Sequence, residues 1–181
     1  MAITEHIISA EELFQTPNPG RCELVRGELV MMTPAGFKHG KIIVNITYFL
    51  EQFVRATKMG VITGAETGFI IHRDPDTVRA PDVAFIRADR LPEKLPQGFF
   101  DGPPDLAVEV LSPNDRASEV QAKIHDWLDA DCRAIWIVDP ATKSVTVYQS
   151  SNDIVVLNTS DRLTDAQLLP GFSVSVSEIF E

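Results

Sequence analysis

Three ionisable residues sit in or beside apolar runs where charge is expensive. Asp82 opens Asp82-Val-Ala-Phe-Ile86, Glu109 lies inside Leu106-Ala-Val-Glu-Val-Leu111, and Lys123 is on the segment that follows. An ionised carboxylate in a buried strand must be paired or coordinated. Two carboxylates about 4 Å apart near a protein surface repel by roughly 4 kcal/mol at an effective dielectric of 20, so a chain that brings Asp82 and Glu109 together must also supply a cation. A divalent metal ion is the simplest candidate. The structural alternative is that Asp82 merely begins a strand after Pro81 and that Glu109 pairs with a snorkelling Lys123.

The elements that would position these residues follow from periodicity. Ile42, Ile43, Ile46, Phe49, Leu50 and Phe53 recur at helical spacing and predict an amphipathic helix from about Lys38 to Thr57, with His39 on its apolar side and Glu51 on the opposite one. The Asp82 and Glu109 runs are β-rich and short, as central strands buried on both faces are. Alternation points Asp105, Ala107, Glu109 and Leu111 one way and Leu106, Val108 and Val110 the other. Asn114 or Asp115 is the expected N-cap of a helix running to about Ala130, with Val120, Ile124, Trp127 and Leu128 as its stripe. On that helix Lys123 falls about 80° from the centre of the stripe, at the border where its stem can reach over the sheet to Glu109.

The flanking segments are read as follows. A short helix at Ser9 to Phe14 precedes two strands, Cys22 to Val25 and Glu28 to Met32, around Arg26-Gly27. Val61 to Ile71 reads as one long strand bent at its glycines, and Arg87 to Pro104 as an exposed loop. Arg133 to Val138 is a further central strand, Ser144 to Tyr148 and Asp153 to Asn158 form an edge hairpin, and Leu168 to Phe172 leads into a short terminal helix. The predicted class is α/β: a mixed central sheet with helices on both faces, core order helix, strand, strand, strand, helix, strand, and β-hairpin additions at both ends.

At 181 residues the chain is read as a single domain, 1–181. Cys22 and Cys132 have neither CxxC nor Cys/His spacing, which argues against a zinc knuckle or a disulfide framework and suits a reducing cytoplasm. No apolar run approaches the roughly 20 residues of a membrane span, and the N-terminal residues have no signal-like pattern; the reading is a soluble cytoplasmic protein. The net charge of −10 counts against a plain DNA-binding module, which would need Lys and Arg to neutralise phosphates. It counts less against a metal-dependent enzyme, whose ion reverses the local sign. There is no phosphate-binding P-loop, dinucleotide turn or nucleophile elbow, and His6, His39, His72 and His125 form no His-X-X-X-His pair.

Pro81-Asp82 and the later Glu109-Val-Leu111 resemble the Pro-Asp…(Asp/Glu)-X-Lys pattern of the PD-(D/E)XK nuclease superfamily. Further segments are similar to one branch, the Uma-type putative restriction endonuclease family: Cys22-Glu-Leu-Val-Arg-Gly-Glu-Leu29, His39, Val108-Glu-Val-Leu-Ser-Pro113, Ile135-Trp-Ile-Val-Asp-Pro140 and Leu169-Pro-Gly-Phe172. The similarity spans nearly the whole chain. Leu111 stands where the superfamily has lysine, and the branch places that lysine on the next helix, where this chain has Lys123.

The resemblance implies a restriction-endonuclease-like fold and metal-dependent hydrolysis of phosphodiester bonds, with DNA as the expected substrate. It implies Mg²⁺ or Mn²⁺ held by Asp82, Glu109 and the Val110 carbonyl, with Lys123 acting on the nucleophile or the phosphate. Glu28 and His39 match an acidic position and a histidine of the branch and are secondary catalytic candidates, with an exposed hairpin position and a helix-start hydrogen bond as their structural alternatives. A homodimer is expected by analogy with related nucleases. Two other readings are kept: an inactive nuclease-fold interaction protein, and a metal-dependent hydrolase of another phosphate ester.

Overall fold

The computed structural model describes residues 7–181; residues 1–6, which include His6 and the stretch read above for a signal pattern, lie outside the described residues. The chain opens with α1 (Ala10–Gln15), whose N-cap Ser9 and Glu12 form a capping box. It continues through the hairpin β1 (Cys22–Val25) and β2 (Glu28–Met31) into α2 (Phe37–Thr57). Four strands follow: β3 (Gly60–Gly64), β4 (Phe69–His72), β5 (Thr77–Arg79) and β6 (Val83–Arg87). Then come β7 (Phe100–Asp101), β8 (Leu106–Val110), α3 (Ala117–Asp129), β9 (Ala134–Asp139), β10 (Ser144–Tyr148) and β11 (Ile154–Leu157). The chain closes with β12 (Arg162–Asp165), β13 (Leu169–Ser175) and α4 (Val176–Ile179).

A six-stranded mixed sheet, in the order β11-β10-β9-β8-β6-β3, carries the site. β8 is its pivot: antiparallel to β6, with Val83 opposite Val108, and parallel to β9, with Glu109 opposite Ile137. A parallel pair cannot be joined by a tight turn, and α3 is the crossover that joins this one. Alternation along β8 sends Val108 and Val110 to the face covered by α2, where Ile42, Ile46, Leu50 and Val54 pack with Phe85 and Trp136. It sends Ala107 and Glu109 to the face covered by α3, where Ile124 and Trp127 pack with Ala84, Ile135 and Ile137. The predicted α/β class, with a helix on each face, is the observed one.

Three local expectations are corrected. The predicted long strand from Val61 to Ile71 is two strands in two sheets, since β4 belongs to a second, five-stranded sheet in the order β2-β1-β5-β4-β7. Glu66, in the left-handed region at φ 68°, turns the chain between them, and Gly68 lets the backbone pass against the Phe99 ring. The Arg87 to Pro104 segment is not all loop: it holds a 3₁₀ turn at Ala88–Arg90, and β7 pairs parallel with β4. The N-cap of α3 is Arg116, just beyond the predicted Asn114 or Asp115, and it makes no side-chain cap bond. The Asp115 carboxylate instead accepts the Ser112 N–H at 2.8 Å, closing the turn that leaves β8.

Candidate active site

The antiparallel register of β6 and β8 fixes the first carboxylate. Asp82, one residue before β6, reaches across to β8, where its Oδ2 accepts the Val110 N–H at 2.8 Å. His39, in the first turn of α2, brings Nε2 to 3.3 Å from the same oxygen, and both side chains are buried. The hydrogen bond to Asp82 raises the His39 pKa above its ordinary value, against the opposing effect of burial. The other oxygen, Oδ1, has no hydrogen-bond donor among the described residues; its nearest cation is Arg21 Nη2, at 4.0 Å.

Glu109 is held from α3. Its Oε1 accepts the Trp127 indole N–H at 3.1 Å, and its Oε2 lies 3.3 Å from Lys123 Nζ. Trp127 and Lys123 are one helical turn apart, so both point down onto the strand that precedes their helix. Burial pushes the Glu109 carboxyl up to about 7; Lys123 opposes that shift and the Asp82 charge adds to it.

A carboxylate not singled out from sequence completes the group. Glu23, 1% exposed on β1, places Oε1 at 3.1 Å from Lys123 Nζ and accepts from Arg79 Nη1 through Oε2 at 2.6 Å. The Ala80 N–H also donates to Glu23, and Arg79 makes a second ion pair, with Asp126 of α3. Burial works against ionising Glu23, but the Lys123 and Arg79 charges outweigh it and hold its pKa below the usual carboxylate value. Burial likewise disfavours the Lys123 ammonium, and Glu109 and Glu23 overcome it, raising the lysine pKa. The five-stranded sheet thus supplies one of the two counter-charges of Lys123, through Glu23, and the six-stranded sheet the other, through Glu109.

The structure gathers four of the five side chains singled out from sequence, Asp82, Glu109, Lys123 and His39, and does not gather Glu28. Glu28 is exposed on β2 opposite Val25, one strand farther out and nearer the hairpin tip than Glu23, and makes no hydrogen bond or ion pair with the group. The signal for Glu23 was present: like Glu109, it is a carboxylate inside a short apolar strand, Cys22-Glu-Leu-Val25.

The cluster sets four carboxylates (Glu23, Asp82, Glu109 and Asp126) against Lys123, Arg79 and, at 4.0 Å from Asp82, Arg21, with His39 adding a further positive charge when protonated. Among the described residues no group of three or more His, Cys, Asp and Glu side chains is arranged to hold a metal ion. The carboxylates of the cluster that come from the six-stranded sheet and its strand ends are Asp82 and Glu109. That set fits a hard divalent ion completing its shell with backbone carbonyl, water and phosphate oxygens, and does not fit a structural zinc site.

No helix among the described residues is long and apolar enough to cross a membrane. No curated protein matches the sequence. Among solved structures the chain is similar to the crystal structure of a putative nuclease belonging to DUF820 from Anabaena variabilis ATCC 29413, with a TM-score of 0.83 at 19% identity over 96% of this chain and 97% of that one. At that identity the likeness speaks for the fold. Residues 10–177 match the Uma2 family, described as putative restriction endonucleases, and the chain belongs to that family.

Proposed function

We propose that the protein is a divalent-metal-dependent endonuclease hydrolysing phosphodiester bonds, with DNA as its substrate. The observation that carries the reading is the convergence of Asp82, Glu109 and Lys123 at the C-terminal end of β8, with the lysine delivered by α3. Asp82 and Glu109, with the Val110 carbonyl, would hold Mg²⁺ or Mn²⁺. When bound, the ion would supply Lewis-acid polarisation of a phosphoryl oxygen and a lowered pKa for a coordinated water.

The chain's own groups do the rest. Lys123, kept protonated by two carboxylates, orients the attacking water or stabilises charge growing on the phosphate. Trp127 fixes one Glu109 oxygen and so aims the other. His39 and the Val110 N–H hold Asp82 Oδ2, and Oδ1, 4.0 Å from Arg21 Nη2, would be the oxygen that ligates the ion. Glu23 and Arg79 position Lys123 without reaching the reacting atoms.

The test is cleavage of a panel of DNA, RNA and small phosphate esters with Mg²⁺, Mn²⁺ or chelator. Metal-dependent cleavage of DNA that is lost in Asp82→Ala, Glu109→Ala and Lys123→Ala supports the assignment. Undiminished cleavage by all three variants removes it, and hydrolysis of only the small esters moves the substrate class.

The net charge of −10 favours a second reading, an interaction protein on the nuclease fold without catalysis. Titration calorimetry separates the two: no heat with Mn²⁺ or Mg²⁺ at millimolar concentration selects the interaction protein.

A further inference from the structure

Helix α2 carries two stripes. Ile42, Ile46, Leu50 and Val54 are buried against the six-stranded sheet. At about 100° per residue, positions 37, 41, 44, 48, 51 and 55 all lie within about 40° of the direction opposite Ile46. Their spacing alternates four and three, as in the seam one helix presents to another. Phe37 is 91% exposed, Val44 65% and Tyr48 59%, although all three are large and apolar or aromatic. One such residue on a surface is ordinary, whereas three along one seam make a patch. Val44, Thr47, Tyr48, Glu51, Gln52 and Arg55 line a shallow groove along it.

We propose that this face docks a second copy of the same chain, with the two α2 helices antiparallel about a twofold axis level with Ile46. The charge pattern commits the occupant. In that register Val44 meets the partner's Tyr48, Lys41 meets the partner's Glu51, and Phe37 meets the partner's Arg55, each pair occurring twice, with Glu51 and Arg55 also ion-paired to each other along their own helix. Apolar groups face apolar groups, opposite charges face each other, and a guanidinium lies over an aromatic ring. A parallel pairing would set Lys41 on Lys41, Glu51 on Glu51 and Arg55 on Arg55. Sliding the antiparallel pair by one heptad sets Lys41 against Val44 or Glu51 against Tyr48.

Gly40 points the same way. It lies in the first turns of α2, about 60° from the seam, and among the described residues nothing beyond its own turn of helix comes within 4 Å of where its Cβ would be. A glycine there costs a helix roughly 1 kcal/mol relative to alanine with no return inside one subunit. A second backbone passing close by gives it a use.

This inference is independent of the nuclease reading, and its test uses no cleavage. Sedimentation equilibrium of the full chain over a concentration series should give a dimer. Lys41→Glu and Glu51→Lys each place like charges opposite one another twice and should weaken the dimer at least about tenfold. An equimolar mixture of the two variants restores opposite charges at both contacts and should recover the wild-type association. Within one chain the two positions are about 15 Å apart along the helix, so this recovery cannot arise inside a subunit. Circular dichroism checks the fold, and Lys41→Ala and Glu51→Ala, which add no repulsion, should weaken the dimer less. A monomeric wild type overturns the proposal. So does a dimer indifferent to both reversals, and so does a mixture that fails to associate.

Discussion

Trp127 donates its indole N–H to Glu109 Oε1 at 3.1 Å, from a ring that is fully buried against the sheet carrying that glutamate. The bond is both a tether and a source of positive potential, and it comes from the same helix that delivers Lys123. One packing event, α3 onto β8, therefore installs the lysine and orients the carboxylate.

Trp127→Phe keeps a large aromatic ring and removes the donor. We expect a loss of about 1.5–3 kcal/mol in stability, the range for a hydrogen bond to a charged group. Mn²⁺ affinity should fall about tenfold, as when a group that orients a metal ligand is removed. Urea denaturation and titration calorimetry measure the two effects; an unchanged midpoint would show that the bond contributes nothing.

Glu23 and Glu28 are separated by a paired substitution. Glu23→Gln leaves Lys123 and Arg79 short of a buried counter-charge, and a broken buried pair costs about 3–5 kcal/mol. Glu28→Gln, on the exposed strand, should stay within about 0.5 kcal/mol of the parent and leave cleavage unchanged. Equal behaviour of the two variants in thermal unfolding would contradict the geometry.

The Glu109 carboxyl, raised to about 7 by burial, sets a pH dependence. Between its ordinary value of 4.5 and about 7 the folded chain holds a proton that the unfolded chain has released, so stability falls as pH rises through this window and this contribution levels off above it. Glu109→Gln should flatten that slope. His39, also raised, acts with the same sign beginning near 6.5, so some decline should survive in the variant. Urea midpoints measured from pH 4.5 to 8.5 check both arms, and a wild-type midpoint that climbs through this range would refute the assignment.

Gly60 opens β3, where an added Cβ would overlap the Ile86 carbonyl oxygen of β6. Gly60→Ala must therefore push the edge strand away from the sheet, with an expected loss of about 2–4 kcal/mol. Gly64→Ala, whose added methyl meets open space, is the control and should cost far less. Chemical denaturation compares them.

The parts legible from sequence were those governed by a period. Alternation in β8 placed Glu109 on the α3 face, and the angular position of Lys123 brought it to the rim of the same face. The 3.6-residue repeat of α2 placed His39 inward. Glu23 escaped because its partners are not local: Arg79 ends a three-residue strand too short to show alternation, and Lys123 is 100 residues away. The break between β3 and β4 escaped for a related reason. Val61 to Thr63 and Phe69 to Ile71 are both β-rich, the glycines between them suit a bend as well as a break, and only long-range pairing decides which sheet each half joins.

The two carboxylates that share Lys123 lie at very different separations along the chain, and this implies an order of assembly. Closing the 14-residue loop to Glu109 costs less entropy than closing the 100-residue loop to Glu23, by about 1.7 kcal/mol. The strand–helix–strand unit of β8, α3 and β9 can therefore bring lysine and glutamate together early, as a semi-autonomous kernel. On this ordering the hairpin bearing Glu23 would dock afterwards, and a chain interrupted before that docking would hold a lysine with only half of its neutralising charge.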